Sequence, residues 1–264
     1  MRSTPISLRF APSECRVLLR EPTGHDERRV SGTSTRDALE LIEAVLVPTP
    51  GESASPHAED FVAADRDRIL AELYVRTFGD RIESTLCCED CGIQFDIDFS
   101  LRELTATVEQ RPPNPEYASV EPNLFEAAGG WRFRLPTGRE ECALAGFDRG
   151  AAETALFEVC VAETESRPDV ADLQTALDEV APLLELELTA CCPECERTHL
   201  VQFDIQTYLL RSLLNEQGRR IHEIHRLAAA YGWSFDEILS LTRTERRKLV
   251  ELVEDEISRR RTER

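Results

Sequence analysis

Cys87-Cys88-Glu89-Asp90-Cys91 and Cys191-Cys192-Pro193-Glu194-Cys195 are matching cysteine turns set 104 positions apart in the chain. Each stands between alternating stretches. Ile82, Ser84 and Leu86 alternate with Arg81, Glu83 and Thr85 before the first turn; Ile93, Phe95, Ile97 and Phe99 alternate with Gln94, Asp96 and Asp98 after it. Around the second turn, Leu184, Leu186 and Leu188 alternate with Glu185 and Glu187, and Val201, Phe203 and Ile205 mark the return. Period-two patterning predicts a half-buried hairpin at each turn. Gln94-Phe95-Asp96-Ile97 recurs as Gln202-Phe203-Asp204-Ile205, which reads as one return strand used twice.

A Cys-x-x-Cys turn offers two thiolates to adjacent corners of a tetrahedron, so two turns complete a closed four-cysteine site. The expected ligands of a structural zinc ion are Cys88, Cys91, Cys192 and Cys195. Cys87 and Cys191 precede the turns and are expected to point away, although either is placed to substitute for a ligand. Reduced buried thiols or a redox pair are the alternatives. Glu89, Asp90 and Glu194 speak against redox work, because acidic neighbours raise a thiol pKa that a reactive cysteine needs lowered. Cys15, Cys142 and Cys160 stand in apolar settings and read as core thiols.

Each hairpin closes a longer unit that occurs twice. Val17-Leu18-Leu19-Arg20-Glu21-Pro22-Thr23-Gly24 is echoed by Arg132-Phe133-Arg134-Leu135-Pro136-Thr137-Gly138, a short strand and then a Pro-Thr-Gly turn. Gly32 and Gly146, Ala38 and Ala152, and Val45 and Val159 keep the same offset. Ala38, Leu39, Ile42, Val45 and Leu46 then predict a helix, matched by Ala152, Ala155, Leu156, Val159 and Cys160. A second helix follows in each copy. Val62, Ile69, Leu73 and Phe78 run to Gly79, and Val170, Leu173, Leu177, Val180 and Leu184 repeat the spacing, with Pro182 closing that helix early. A small hairpin cannot bury its apolar face alone, so the copies are expected to pair about a pseudo-two-fold axis with the metal at their meeting point. Pro48–Pro56 and Gln110–Pro122 read as exposed linkers. The Pro-Thr-Gly turns lack a phosphate-cradling glycine pattern and read as structural.

The net charge of −19 disfavours broad contact with nucleic acid or anionic membranes. Residues 205 to 264 hold 12 basic and 10 acidic side chains, which leaves 19 basic against 40 acidic ones in residues 1 to 204. The acidity therefore belongs to the cysteine-bearing part. Lys248 is the only lysine beside thirty arginines, a bias that suggests a GC-rich, salt-tolerant host. No apolar run approaches the ~20 residues of a membrane span, and Met1–Phe10 lacks a secretory apolar stretch. A cytoplasmic protein is expected, in which nine cysteines favour metal over disulfides. No nucleophile triad or carboxylate pair stands out, so no catalytic residue is assigned and the protein reads as non-enzymatic. His222 and His225 lie three apart on a helix without a nearby third ligand, and His25 and His199 have no supporting neighbours in sequence.

Leu209, Leu210, Leu213 and Leu214, then Ile221, Ile224, Leu227, Ala228 and Tyr231, predict an apolar helical stripe that stops at Gly232. Ser234 with Glu237 and Thr242 with Glu245 are capping boxes for two further helices. Ile238, Leu239, Leu241, Leu249, Val250, Leu252, Val253 and Ile257 are their expected buried faces, and Arg259, Arg260, Arg261 and Arg264 complement the last helix dipole. A staple to Ile238 accounts for Trp233 within the chain; an exposed anchor for another protein is the alternative.

The segment Ile221-His222-Glu223-Ile224-His225-Arg226-Leu227-Ala228-Ala229-Ala230-Tyr231-Gly232-Trp233-Ser234-Phe235-Asp236-Glu237-Ile238-Leu239, with Leu241 and Arg246-Arg247, resembles the T4-type baseplate hub and hub-assembly proteins of contractile phage tails and related injection systems. The resemblance covers about a quarter of the chain; the twin cysteine hairpins also look like longer members of that group. It implies a structural or assembly role with hub, spike or tube proteins as partners, docking through Tyr231, Trp233 and Ile238, and it implies no catalytic residue. Short members need not carry the hairpins, so zinc is argued from this sequence alone. The expected architecture is α+β, with one unit over residues 1–110, a second over 111–205 and a helical module over 206–264. A zinc-ribbon adaptor in transcription or nucleic-acid processing, acting through protein contacts, is the other reading.

Overall fold

The computed structural model describes residues 4–10, 16–48, 56–162 and 167–262. The protein is α+β, and the expected unit is laid down twice. In the first copy β1 (Thr4–Ser7), β2 (Arg16–Leu19) and β3 (Leu46–Val47) form an antiparallel sheet, with α1 (Gly24–Arg29) and α2 (Thr35–Val45) between its last two strands. A 3-10 turn at Ala58–Asp60 leads to α3 (Ala63–Phe78), the hairpin of β4 (Arg81–Cys87) and β5 (Gln94–Ser100), and α4 (Leu101–Glu109). The second copy keeps the order of helices but not that of the sheet: β6 (Tyr117–Glu121), β7 (Leu124–Ala127) and β8 (Arg132–Phe133) all precede α5 (Gly138–Leu144), α6 (Arg149–Cys160) and α7 (Val170–Val180), and after α6 Val161 makes an isolated bridge to Phe133. Its hairpin is β9 (Glu185–Cys191) and β10 (Thr198–Asp204), followed by α8 (Ile205–Asn215). Three helices close the chain: α9 (Gln217–Tyr231), α10 (Phe235–Leu239) and α11 (Arg243–Thr262).

Both Pro-Thr-Gly turns start a helix by one device. Asp26 accepts from the Thr23 N–H and Oγ1 at 2.8 Å each, and Glu140 accepts from the same groups of Thr137 at 2.6 Å each. Such a box satisfies backbone donors that a helix start leaves orphaned. Arg20 and Arg134, at the same offset, clamp these acids at 2.6 and 2.7 Å. Burial opposes ionisation of both carboxyls, but the arginine and threonine donors outweigh it and hold them below the ordinary range.

The packing interlocks the copies. Leu19, Leu41, Ile42, Ile69, Leu70, Leu73 and Leu101 share one core with Leu184, Phe203, Ile205, Leu209, Leu210 and Leu213, so the second hairpin and α8 rest on the first copy. The second core joins Phe125, Trp131, Phe133, Leu135, Phe157, Cys160 and Leu173 to Phe10, Val62 and Ala64 of the first copy. Each fully buried Leu or Ile adds about 1.5–3 kcal/mol relative to exposure. The division expected at residue 110 follows α4, whereas the one expected at 205 cuts α8, the counterpart of α4, from its own copy, and the packing crosses both. Charged groups at the start of α3 tie distant backbone to it. Asp65 accepts from the N–H groups of Arg9 and Phe10 at 2.7 and 2.9 Å, and Asp67 accepts from Leu184 at 2.9 Å.

Several expectations need correction. The stretch Gln110–Pro122 is not all linker, because Tyr117–Glu121 pairs with β7; its mostly exposed side chains gave no apolar alternation to read. Leu184 follows α7 and leads into β9 rather than ending a helix. Gln94-Phe95-Asp96-Ile97 and Gln202-Phe203-Asp204-Ile205 are not equivalent, since Gln94 faces Cys87 while Gln202 faces Glu187. The cysteine offset instead matches Phe95 with His199 and Phe99 with Phe203. Ile221 and Leu252 are 67% and 50% exposed and leave the stripes assigned to them. Residues 49–55, which make up most of the expected first linker, lie outside the described residues with Cys15 and Arg264.

Candidate metal centre

The two hairpins meet tip to tip. Cys88 Sγ lies 3.6 Å from Cys195 Sγ and Cys91 Sγ lies 3.7 Å from Cys192 Sγ. All four sulfurs fall within 4.8 Å of one another. Position 88 corresponds to 192 and 91 to 195, so these two contacts are related by the expected pseudo-two-fold. Phe99 and its counterpart Phe203 meet edge to face, with centroids 5.2 Å apart and planes at 87°.

Each tip is the same backbone knuckle. The N–H of Cys88 donates to Ile93 and that of Gly92 donates back to Cys88; Cys192 pairs with Arg197 and Glu196 with Cys192 at matching positions, all between 2.8 and 3.0 Å. The knuckle needs a left-handed residue directly after its second ligand. Gly92 takes φ +73° there, and Glu196 takes φ +58°, a region that disfavours side chains with a Cβ.

A tetrahedron with metal–sulfur bonds of about 2.3 Å has edges of about 3.8 Å. The cysteine contacts match those edges, whereas a disulfide needs about 2.05 Å, and the eight described cysteines are free thiols. Cys88, Cys91, Cys192 and Cys195 can hold a metal ion with no corner left open. Cys88 and Cys192 are fully buried, packed with Phe95 and Ala190 and flanked by Leu86, Ile97 and Val201, while Cys91 is exposed and Cys195 half-buried, so the site is apolar on one side and open to solvent on the other. The clustered thiols share their protons. The backbone N–H of Cys195, foremost among several donors, lowers Cys192 to about 7, while Cys195 is pushed up to about 12 against the donor N–H of Arg197. A bound metal has to displace the protons that remain.

Cys87 and Cys191 turn outward. Their sulfurs lie 3.7 and 3.4 Å from the carbonyls of Gly92 and Glu196, outside the cluster. Cys142 is half-buried and Cys160 is buried in the second core, where burial pushes its thiol up to about 11.

His199 was missed as a member of the site. Its Nε2 lies 3.2 Å from Cys88 Sγ, and its ring stands 6.0 Å from that of Phe95, its counterpart in the first hairpin. Its parity with Val201 and Phe203 already placed it on the inward face. His222 and His225 are exposed on α9.

The proposed docking residues divide. Tyr231 is 43% exposed and stacks on Trp233 with centroids 4.8 Å apart, Gly232 taking φ +69° between them. Ile238 is fully buried and is withdrawn as a partner-contacting residue, because it anchors α10 to the rest of the chain. Among the described residues no helix is long and apolar enough to cross a membrane. Comparisons with family models, with curated proteins and with solved structures returned no match for this chain.

Proposed function

We propose that the four-cysteine centre holds a structural zinc ion and that the protein serves as a non-enzymatic structural or assembly component of the baseplate hub in a contractile tail-like particle. The observation that carries the first half is the closed sulfur cluster, with tetrahedral edges and no vacant corner for substrate. Zinc there fixes the relative orientation of the two copies. The second half rests on the resemblance of the α9–α10 segment to hub and hub-assembly proteins. It is supported by the exposed apolar groups on the C-terminal helices, Ile221, Tyr231, Phe235 and Leu252. Hub, spike or tube proteins are the proposed partners, in the cytoplasm or on the assembling particle, with Tyr231 and Trp233 as anchors.

Two measurements test these halves separately. Elemental analysis should find one zinc per chain, and cobalt replacement should give the absorption of a tetrahedral thiolate site; Cys192→Ser should lose the metal and lower the melting temperature. Retained stoichiometry with an unchanged melting profile would refute the zinc reading. Pull-down from the native host should recover tail proteins with wild type and lose them with Trp233→Ala. If transcription or RNA-processing factors are recovered instead, the adaptor reading replaces the baseplate one.

A further inference from the structure

Asp65 and Asp67 are both buried near the start of α3, but only one of them is complete. Asp65 accepts the Arg9 N–H at one oxygen and the Phe10 N–H at the other, at 2.7 and 2.9 Å. Asp67 accepts the Leu184 N–H at Oδ2, at 2.9 Å, while its Oδ1 has no hydrogen-bond partner among the described residues. Its neighbour Arg66 is a poor counter-ion, because Nη1 and Nη2 both turn to Glu141, at 3.1 and 2.8 Å. Burial, with Asp204 and Glu141 nearby, raises the Asp67 pKa to about 7. A carboxylate in such a place has lost water without gaining a cation.

The repeat does not require an acid there. At the cysteine offset of 104 positions, Ile69 and Leu73 of α3 match Leu173 and Leu177 of α7, and Asp67 matches Ala171. The bond to Leu184 needs an acceptor and not a charge. What distinguishes Asp67 is its surroundings: it lines a cavity of about 390 Å³ between the two copies, a volume within the range of small-molecule sites.

Val62, Ala64, Leu135, Leu156, Leu177 and Leu183 give this cavity apolar walls. Asp178 and Glu185 are exposed beside it, so that with Asp67, Glu141 and Asp204 five carboxylates face one arginine. That excess draws cations. The free groups narrow the kind of cation. Asp204 spends its oxygens on the N–H groups of Gln206 and Thr207, at 3.0 Å each, which leaves too few beside Asp67 Oδ1 to replace the shell of a metal ion. Among the described residues no aromatic ring lines the cavity to face a quaternary ammonium. An ammonium group with N–H donors on a compact hydrocarbon suits both the empty oxygen and the walls.

We infer that this cavity binds a small primary amine with an apolar body, its ammonium group donating to Asp67 Oδ1 and its hydrocarbon part packed on Leu135, Leu156 and Leu177. Binding there joins α3 of the first copy to α6 and α7 of the second, and so stabilises the folded chain. The cysteine centre has no part in it, and the inference stands whether or not metal is held there.

Calorimetric titration of the full-length protein with n-hexylamine, n-hexanol and n-hexanoate tests this at about pH 8, where an alkyl ammonium keeps its proton as lysine does. High salt in the buffer screens the exposed carboxylates. The amine should bind roughly 10- to 100-fold more tightly than the alcohol, the worth of a hydrogen bond to a charged group, and hexanoate should not bind. Asp67→Asn keeps an acceptor for Leu184 and should erase the preference for the amine. Leu156→Phe narrows the cavity and should weaken amine and alcohol together. A cooperative thermal transition shows that each variant is folded; should Asp67→Asn fail this check, the three probes on wild type and Leu156→Phe decide alone. Equal affinity for amine and alcohol, or binding of neither, overturns the inference. Amine binding that survives Asp67→Asn also overturns it, and assigns the amine to the acidic surface.

Discussion

Glu196 and His199 carry the sharpest predictions at the scale of single residues. Glu196 occupies a left-handed position that Gly92 fills in the other knuckle, and a residue with a Cβ is strained there by about 1–2 kcal/mol. Glycine relieves that strain but gives part of it back through a more flexible unfolded chain. Glu196→Gly should therefore raise the denaturation midpoint slightly, with zinc content unchanged; a marked fall would show that the glutamate side chain has a role of its own. His199 sets its Nε2 against Cys88, and groups bonded to metal ligands tune affinity by about 10–100-fold. His199→Ala should weaken metal binding by that order in a chelator competition. The four clustered cysteines were legible from spacing alone. His199 was legible only as an inward-facing position, because its parity names the face while its partner Cys88 is set by how the two hairpins meet. Glu27, Arg220, Glu223 and Arg246, which pair in the interior, were hidden for a related reason: charges read as solvated until a distant partner is known.

At the scale of elements, the capping residues carried most of the information. Ser234–Glu237 and Thr242–Glu245 start α10 and α11 where the sequence places them, their carboxylates accepting at 2.7–2.9 Å. Apolar spacing was less reliable on α9, whose inward side includes Arg220 and Glu223 while Ile221 faces out. Helix α1 shows what fixes one element against another. A Cβ on Gly24 would stand 2.7 Å from Leu239 Cδ2 and 3.1 Å from Leu239 Cα, so backbone as well as side chain would have to retreat. Gly24→Ala should pry α10 from α1 at a cost of about 1–3 kcal/mol. Faster proteolysis within residues 217–262, with the cysteine site intact, is the expected result; unchanged cleavage would show that the module does not depend on this contact.

Across the whole molecule, the duplication was legible because its markers keep one offset from the Pro-Thr-Gly turn through the first helices and a second, shorter one at the cysteine turns, whereas the sharing of cores was not. Nothing in the order of elements announces that Leu184 and Phe203 complete the interior of the first copy. Asp67 sits at that junction, accepting from the Leu184 N–H, and burial raises its pKa to about 7. Below the ordinary aspartate value, both folded and unfolded chains carry the proton. Between that value and about 7 the folded chain keeps a proton that the unfolded chain has released, so this group makes stability fall as pH rises through the window. Asp67→Asn keeps an acceptor for Leu184 and cannot ionise. Its stability relative to wild type should climb across that window, by roughly 1.4 kcal/mol for each pH step of one, and then level off above it. Parallel denaturation curves for the two proteins on either side of the window would exclude this account.

The crossed pairing of Cys88 with Cys195 and Cys91 with Cys192 also sets a timetable for biosynthesis. A ribosome adding about 5–20 residues per second delivers the first knuckle several seconds before the second. During that interval the nascent chain offers half a binding site, and no ion can be fully enclosed until Cys195 has emerged. Any ion held there is enclosed only once Cys195 has been added, so a chain cut short before that residue offers no more than part of the site.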